Sequence, residues 1–231
     1  MEIIKQNYLN NLNNNQKEAI LNPEGPCLIV AGAGSGKTRT LVNVLDAFKV
    51  KHSPELILRG QKVAIITYTN AACEEIKYRL KYDPIFNVST IHSFSWELIK
   101  PFSEDIKKWL EGDLKNTISS LLKKIDSARD KQGKTALLNV TKLSSATKRL
   151  ERLQGVRDFT YSPTSGRLDK DSLNHAEVIK IATSFMISEP LMKKLLIKRY
   201  PILLIDESQD TQKGLLNSLI ETQQLYKDHF S

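Results

Sequence analysis

The sequence predicts an α/β fold: a parallel sheet interrupted by a mainly α-helical insertion. Three observations predict it. First, short apolar runs at residues 27–31, 63–67 and 87–90 are each followed by a segment with helical spacing, at 37–50, 71–81 and 92–100. Strand, helix, strand in succession builds a parallel sheet with right-handed crossovers. Second, a later apolar run at 201–206 leads into another helical pattern through about residue 225. Third, the strand-like runs vanish between 101 and 198, where 106–126, 135–153 and 173–188 carry helical spacing instead.

The elements in between follow from their turn chemistry. The Asn-rich stretch 10–15 supplies capping and turn residues ahead of a short helix at 16–21. Gly155, Pro163, Ser165 and Gly166 mark 154–170 as a loop or a short hairpin. The predicted organisation is an α/β domain made of 1–100 and 199–231, incomplete at its C-terminal end, with a helical insertion subdomain at 101–198.

Composition narrows the function classes. A chain of 231 residues with 40% apolar and 26% charged residues can bury one core, or one core and a small satellite. No apolar run approaches the ~18 residues that span a bilayer, and the N-terminal residues lack a basic-then-apolar pattern. The two cysteines, Cys27 and Cys73, have neither metal-ligand spacing nor the number for a disulfide framework. The expected setting is therefore the cytoplasm, with no membrane partner. A net charge of +8 suits a polyanion, because phosphate neutralisation is the sequence-independent part of nucleic-acid binding. The insertion is basic too, with Lys123, Lys124, Arg129, Lys131, Lys134, Lys142, Lys148, Arg149, Arg152, Arg157 and Arg167, although a solvated helix face has the same texture.

Two motifs carry chemistry on their own. Ala31-Gly32-Ala33-Gly34-Ser35-Gly36-Lys37-Thr38 follows an apolar strand and opens a helix, the setting a P-loop requires. Its glycines let successive backbone N–H groups turn toward phosphates, reinforced by the helix N-terminus. Lys37 is expected to reach the β- and γ-phosphates, and the Thr38 hydroxyl to ligate Mg²⁺. Ala31 stands where the strict pattern has Gly, a mild departure, since only the later glycines need unusual backbone freedom. The second motif, Asp206-Glu207-Ser208-Gln209-Asp210-Thr211, ends the strand run at 202–205. A carboxylate at a strand's C-terminal end faces the ligand crevice of an open α/β sheet, so Asp206 is the expected Mg²⁺ partner. Glu207 is the residue to polarise water for attack on a γ-phosphate. ATP and Mg²⁺ are the expected cofactors.

The second motif resembles the Walker B segment of UvrD/Rep-type superfamily 1 DNA helicases, although Ser208 stands where that family usually has a larger residue. The resemblance implies a P-loop, RecA-like fold, and for Gln209 a coupling role between the γ-phosphate and the DNA-facing motifs. Residues 12–20 resemble the family's Q motif, with Gln16 reading adenine through its donor and acceptor pair. Arg39 matches an arginine that packs on the base, as a planar guanidinium can. Residues 66–80 resemble motif Ia, with Ala71 where many relatives carry Lys, and Ser89-Thr90-Ile91-His92-Ser93-Phe94 resembles motif Ib. By this resemblance Thr67, Tyr68, Asn70, Thr90, His92 and Ser93 face single-stranded DNA. Hydroxyls, an amide and an imidazole suit phosphates there, and the Tyr68 ring suits a base. Asn174-His175-Ala176-Glu177-Val178-Ile179 occupies the place of a further short family motif within the insertion, which in relatives contacts duplex.

The resemblance covers nearly all of this chain and a front third of a helicase of this type. The family's Gly-Asp-x-x-Gln motif and its second RecA-like half, with the arginine finger, have no counterpart in residues 1–231. The expected reading is a truncated product or partial sequence of an ATP-dependent helicase that moves 3′ to 5′ on single-stranded or partly duplex DNA. It needs a second motor half or a partner protein. A non-motor ATP- and DNA-binding module acting beside a nuclease in repair or defence is the alternative, and an inactive remnant is a third.

Overall fold

The computed structural model describes residues 37–128, 130, 133–162, 171–206 and 213–226. Along these the elements are α1 (Lys37–Leu58), β1 (Val63–Thr67), α2 (Asn70–Arg79), β2 (Phe86–Thr90), α3 (Ile91–Ile99), α4 (Ser103–Asp126) and α5 (Lys134–Leu153). There follow β3 (Thr160–Tyr161), β4 (Ser172–Leu173), α6 (His175–Ser188), α7 (Pro190–Arg199), β5 (Ile202–Ile205) and α8 (Lys213–Leu225). The expected helix at 16–21 and strand at 27–31 lie outside the described residues. Two compact units result, one of Met1–Phe94 with Thr183–Ser231, the other of Ser95–Ala182.

In the first unit β1 lies between β2 and β5, parallel to both. All five of its residues, Val63 to Thr67, are buried. A strand covered on both faces reads as a continuous apolar run rather than an alternating one, and Val-Ala-Ile-Ile is such a run. The register pairs Val63 with Phe86 and Ile202, and Ile66 with Ser89 and Ile205. Against this sheet pack Val42, Leu45 and Leu56 of α1, Cys73 and Ile76 of α2, and Leu80 just beyond it. Tyr200, fully buried, precedes β5, rests 5.6 Å from the Phe94 ring and accepts a hydrogen bond from Asn87 on β2.

Helix α1 runs to Leu58, well past the expected end at residue 50, and carries Pro54 within it. A proline inside a helix forfeits one backbone hydrogen bond. The helix continues because Leu56 is drawn into the core and the Phe48 and His52 rings stack at 4.5 Å, one turn apart. Helix α7 was not expected from spacing; Pro190 begins it at a position where the missing N–H costs nothing.

The end of α2 is closed by a Schellman motif. Tyr82 N–H donates to the Lys77 carbonyl (2.9 Å) and Lys81 N–H to that of Tyr78 (3.0 Å). Glycine usually fills this position, yet Lys81 and Tyr82 both have φ of 53°. The next residue, Asp83, secures the turn twice. One carboxylate oxygen accepts from Ile85 N–H at 3.0 Å, and the other pairs with Lys49.

In the second unit α4 and α5 pack along one another; the buried residues are Ile106, Leu110, Leu114 and Leu121 of α4 and Ala136, Ala146 and Leu153 of α5. Lys107 reaches past the end of α5 and donates to the Gln154 carbonyl at 2.9 Å, a cation set against a helix C-terminus. Of the 154–170 stretch, expected as a loop or a short hairpin, residues 154–162 lie within the described residues. Its strand β3 pairs in parallel with β4, Thr160 against Ser172 and Tyr161 against Leu173.

Two predictions follow from the α2–β2 connection. Lys81→Gly is expected to stabilise the fold by about 0.5–1 kcal/mol, because the left-handed conformation costs a non-glycine residue ~1–2 kcal/mol and added chain freedom returns part of that. Urea denaturation checks it. For Asp83, burial would raise the carboxyl pKa, but the Lys49 ammonium and the Ile85 N–H outweigh it and hold the pKa below its ordinary value of 3.8. A depressed carboxylate stabilises the fold above its unfolded pKa and loses that contribution as pH falls through the folded one. Asp83→Asn should therefore lower the melting temperature at pH 7, with the gap to wild type closing as pH drops below about 4.

Candidate functional site

A parallel sheet presents the C-terminal ends of its strands at a common edge, and the described candidate residues gather there in the first unit. Thr67 ends β1 and is paired in register with Thr90, which ends β2. Asp206 follows β5 directly, and its backbone N–H donates to the Ile66 carbonyl at 2.8 Å. That bond adds one rung to the β1–β5 ladder, so the acidic residue sits beside the segment that runs into Tyr68 and Asn70. Helix α1 ends just before β1 begins and packs Val42, Leu45 and Leu56 into the core beside the sheet. Lys37, Thr38 and Arg39 open that helix, and Thr38 is half-buried. Gln16, Ala31, Gly32, Ala33, Gly34, Ser35, Gly36, Glu207 and Gln209 lie outside the described residues.

The structure divides the expected DNA-facing residues by what their polar atoms already do. Thr67 is 1% exposed. Its hydroxyl lies 3.1 Å from the Thr69 carbonyl and 3.1 Å from the Cys73 sulfur. It offers nothing to a strand passing over the surface; it shapes the loop that carries Tyr68. Thr90 has a similar local duty. Its Oγ1 accepts from Ser93 N–H at 3.3 Å, capping α3, and donates to Ser93 Oγ at 3.1 Å. Tyr68, by contrast, is 49% exposed, and Asn70 at the start of α2 is exposed as well. His92 and Ser93 are half-buried on the first turn of α3.

Two further residues matter here that motif reading passed over. Thr69 is the N-cap of α2, extended at φ −117° and ψ 151°, and its side chain accepts from Ala72 N–H at 3.1 Å. A Thr directly before Asn-Ala-Ala is a cap signal, and it could have been read. Cys73 is buried, and burial raises its thiol pKa although the bond to Thr67 acts in the other direction. It therefore stays protonated and can serve as a weak donor. Nothing in the sequence marks a cysteine six residues past a threonine as its partner.

The motif-like run at 174–179 has a local structural role of its own in the second unit. Asn174 Oδ1 accepts from Glu177 N–H at 3.0 Å, and Glu177 Oε2 accepts from Asn174 N–H at 3.1 Å. This is a capping box on α6. Arg149 of α5 grips the same carboxylate with both terminal nitrogens. His175 is hydrogen-bonded to the Tyr161 hydroxyl at 2.6 Å, tying α6 to β3.

Comparison with known proteins identifies the family. A family model described as the UvrD/REP helicase N-terminal domain matches residues 12–225. The ATP-dependent DNA helicase Rep of Buchnera aphidicola subsp. Schizaphis graminum is 32% identical, over 88% of this chain and 33% of the relative. DNA helicase II of Rickettsia typhi is 28% identical, over 89% of this chain and 34% of the relative. The Gabija protein GajB of Bacillus cereus is 25% identical, over 80% of this chain and 36% of the relative. The chain thus spans about a third of the length of these curated relatives. Among the described residues no helix is long and apolar enough to cross a membrane. With its strand ends, its acidic residue and its two capped loops placed as described, the chain belongs to the UvrD/REP helicase N-terminal domain family.

Proposed function

We propose that this chain is the ATP-binding portion of an ATP-dependent DNA helicase, with hydrolysis coupled to 3′-to-5′ movement on single-stranded DNA. The observation that carries the reading is the bond from Asp206 N–H to the Ile66 carbonyl. It sets the acidic motif one residue away from the loop bearing Tyr68 and Asn70, so a change at the nucleotide has a short route to a DNA-facing surface. Family membership supplies the chemical context.

On this reading Gln16 and Arg39 hold the adenine, by edge hydrogen bonds and stacking. Backbone N–H groups from Ala31 to Gly36 surround the phosphates, and Lys37 pairs with the β- and γ-phosphates. Thr38 and Asp206 offer a hydroxyl and a carboxylate, hard oxygen donors that suit Mg²⁺. When bound, the ion neutralises charge on the β- and γ-phosphate oxygens. Glu207 accepts a proton from the attacking water, and Gln209 senses the γ-phosphate. Tyr68 stacks on a base, while Asn70, His92 and Ser93 hydrogen-bond the strand. Thr67 and Thr90 act from beneath, holding those residues in place. Residues 101–198 serve as the helical insertion subdomain of a RecA-like domain formed by 1–100 and 199–231. The protein works in the cytoplasm, in DNA repair, and takes its second motor half from a further domain or a partner.

A second reading is a non-motor ATP- and DNA-binding module beside a nuclease or other repair or defence partner. It is favoured by the similarity to GajB, whose name is not that of a helicase.

For the 231-residue polypeptide the expected outcome is weak ATP binding, slight DNA-stimulated hydrolysis and no measurable strand displacement. An arginine finger alone contributes roughly 10³–10⁵ in rate in related phosphoryl transfer. Lys37→Ala should abolish the stimulated phosphate release while leaving the far-UV circular dichroism unchanged. Equal phosphate release by wild type and variant would show that the P-loop is not the site; strand displacement by the isolated polypeptide would show that one half suffices.

A further inference from the structure

Tyr68 lies between two residues that are both fixed by hydrogen bonds beneath it. Thr67 precedes it, buried at the end of β1; Thr69 follows it, extended, as the cap of α2. The Thr69 carbonyl is the point where the bonds converge. It accepts from the Thr67 hydroxyl at 3.1 Å and from the Cys73 backbone N–H at 3.1 Å. A carbonyl can only accept, so the single Thr67 hydroxyl proton goes to it. The 3.1 Å contact between Thr67 Oγ1 and Cys73 Sγ then has the thiol as its donor. The direction of the chain is thus set: Cys73 S–H to Thr67 O–H to Thr69 C=O, with Cys73 N–H returning to the same oxygen. The Thr69 side chain meanwhile accepts from Ala72 N–H. The backbone on either side of Tyr68 is pinned, while its ring is 49% exposed.

The Tyr68 ring is thus half in water on a loop whose flanking residues are both held by hydrogen bonds. We propose that the Thr67–Thr69–Cys73 ring of hydrogen bonds is a positioning device that holds Tyr68 ready to stack on an unpaired base. It rests on the reading of Tyr68 as a DNA-facing residue and adds how that residue is set in place. Thr67 and Cys73 touch no DNA; they act through Tyr68. Pre-setting the ring lowers the ordering cost of binding, the general benefit of preorganisation. The protonated state of the buried thiol fits its role as donor.

The test is a double-mutant cycle on the 231-residue chain, read by anisotropy of fluorescein-labelled oligothymidylate and, separately, by binding of a fluorescent ATP analogue. Tyr68→Ala should weaken oligonucleotide binding about tenfold or more, the scale of one lost stacking contact. Thr67→Val, which keeps the shape and removes the hydroxyl, should weaken it about three- to tenfold, and Thr67→Ser should restore it. Cys73→Ala, which leaves the Thr67–Thr69 bond intact, should have a smaller effect in the same direction. All four should bind the ATP analogue as wild type does. In the Tyr68→Ala background, Thr67→Val should cost nothing further. A full additional loss in that background, or no loss from Thr67→Val and Cys73→Ala with Tyr68 present, overturns the positioning role while leaving the Tyr68 reading standing. No loss from Tyr68→Ala itself overturns that reading, and the inference with it.

Discussion

Burial of β1 is the constraint on which the rest of the first unit depends. Its four apolar residues are at most 1% exposed, and it is hydrogen-bonded on both edges. A strand so enclosed has no freedom to slip, because a one-residue shift would exchange the side chains packed against its two faces. The register is therefore fixed, and with it the level at which each strand ends. Thr67 finishes beside Thr90, and Asp206 finds the Ile66 carbonyl, because Val63 opposes Phe86 and Ile202 at the far end. Residues more than a hundred positions apart in sequence reach one edge as a consequence of apolar packing. The chemistry there inherits its geometry from side chains that take no part in it.

At that edge the backbone must change from strand to helix within one or two residues. Each such change exposes helix N–H groups that need acceptors. The threonines supply them: Thr69 for α2 and Thr90 for α3. Thr67 meets a related need, since a hydroxyl that is 1% exposed has to find partners within the protein. The loop around Tyr68 is consequently held by hydrogen bonds rather than by apolar packing. The same device recurs in the second unit, where Asn174 and Glu177 close a capping box and Arg149 holds the carboxylate from α5.

Much of this was legible in the sequence, and the physical reasons for what was not are specific. The runs at 63–67 and 202–205 and the helices that follow them read correctly, because a strand buried on both faces leaves a clear apolar signature. The end of α1 did not. The helix runs past residue 50 and through Pro54 because Leu56 beyond it is buried, and that burial is a tertiary fact. The 154–170 stretch offered the turn residues of a loop or a short hairpin, and the parallel pairing of β3 with β4, which begins only at Ser172, is not written in glycine and proline. Lys81 and Tyr82 carry no sequence mark of a left-handed turn at all; the α2–β2 geometry imposes it. In the candidate site, the motif order proposed Thr67, Tyr68, Asn70, Thr90, His92 and Ser93 but could not say which of them is exposed.

That last distinction has a general cause. Helix caps and anion ligands use the same atoms, short side-chain oxygens placed where a strand turns into a helix, so a motif rich in Thr, Ser and Asn is ambiguous by nature. One side-chain hydroxyl has a single proton and cannot donate it inward and outward at once. Thr67 gives its proton to Thr69, and Thr90 gives its proton to Ser93. Ser93, having accepted that bond, keeps its own proton to donate. On the proposed reading, the groups left for a ligand are those the fold has not already used: the Tyr68 ring, the Asn70 amide and the Ser93 hydroxyl. On that reading, a substitution at such a threonine should weaken binding of a ligand it does not touch. The order of effects along the motif should follow hydrogen-bond direction rather than nearness in sequence.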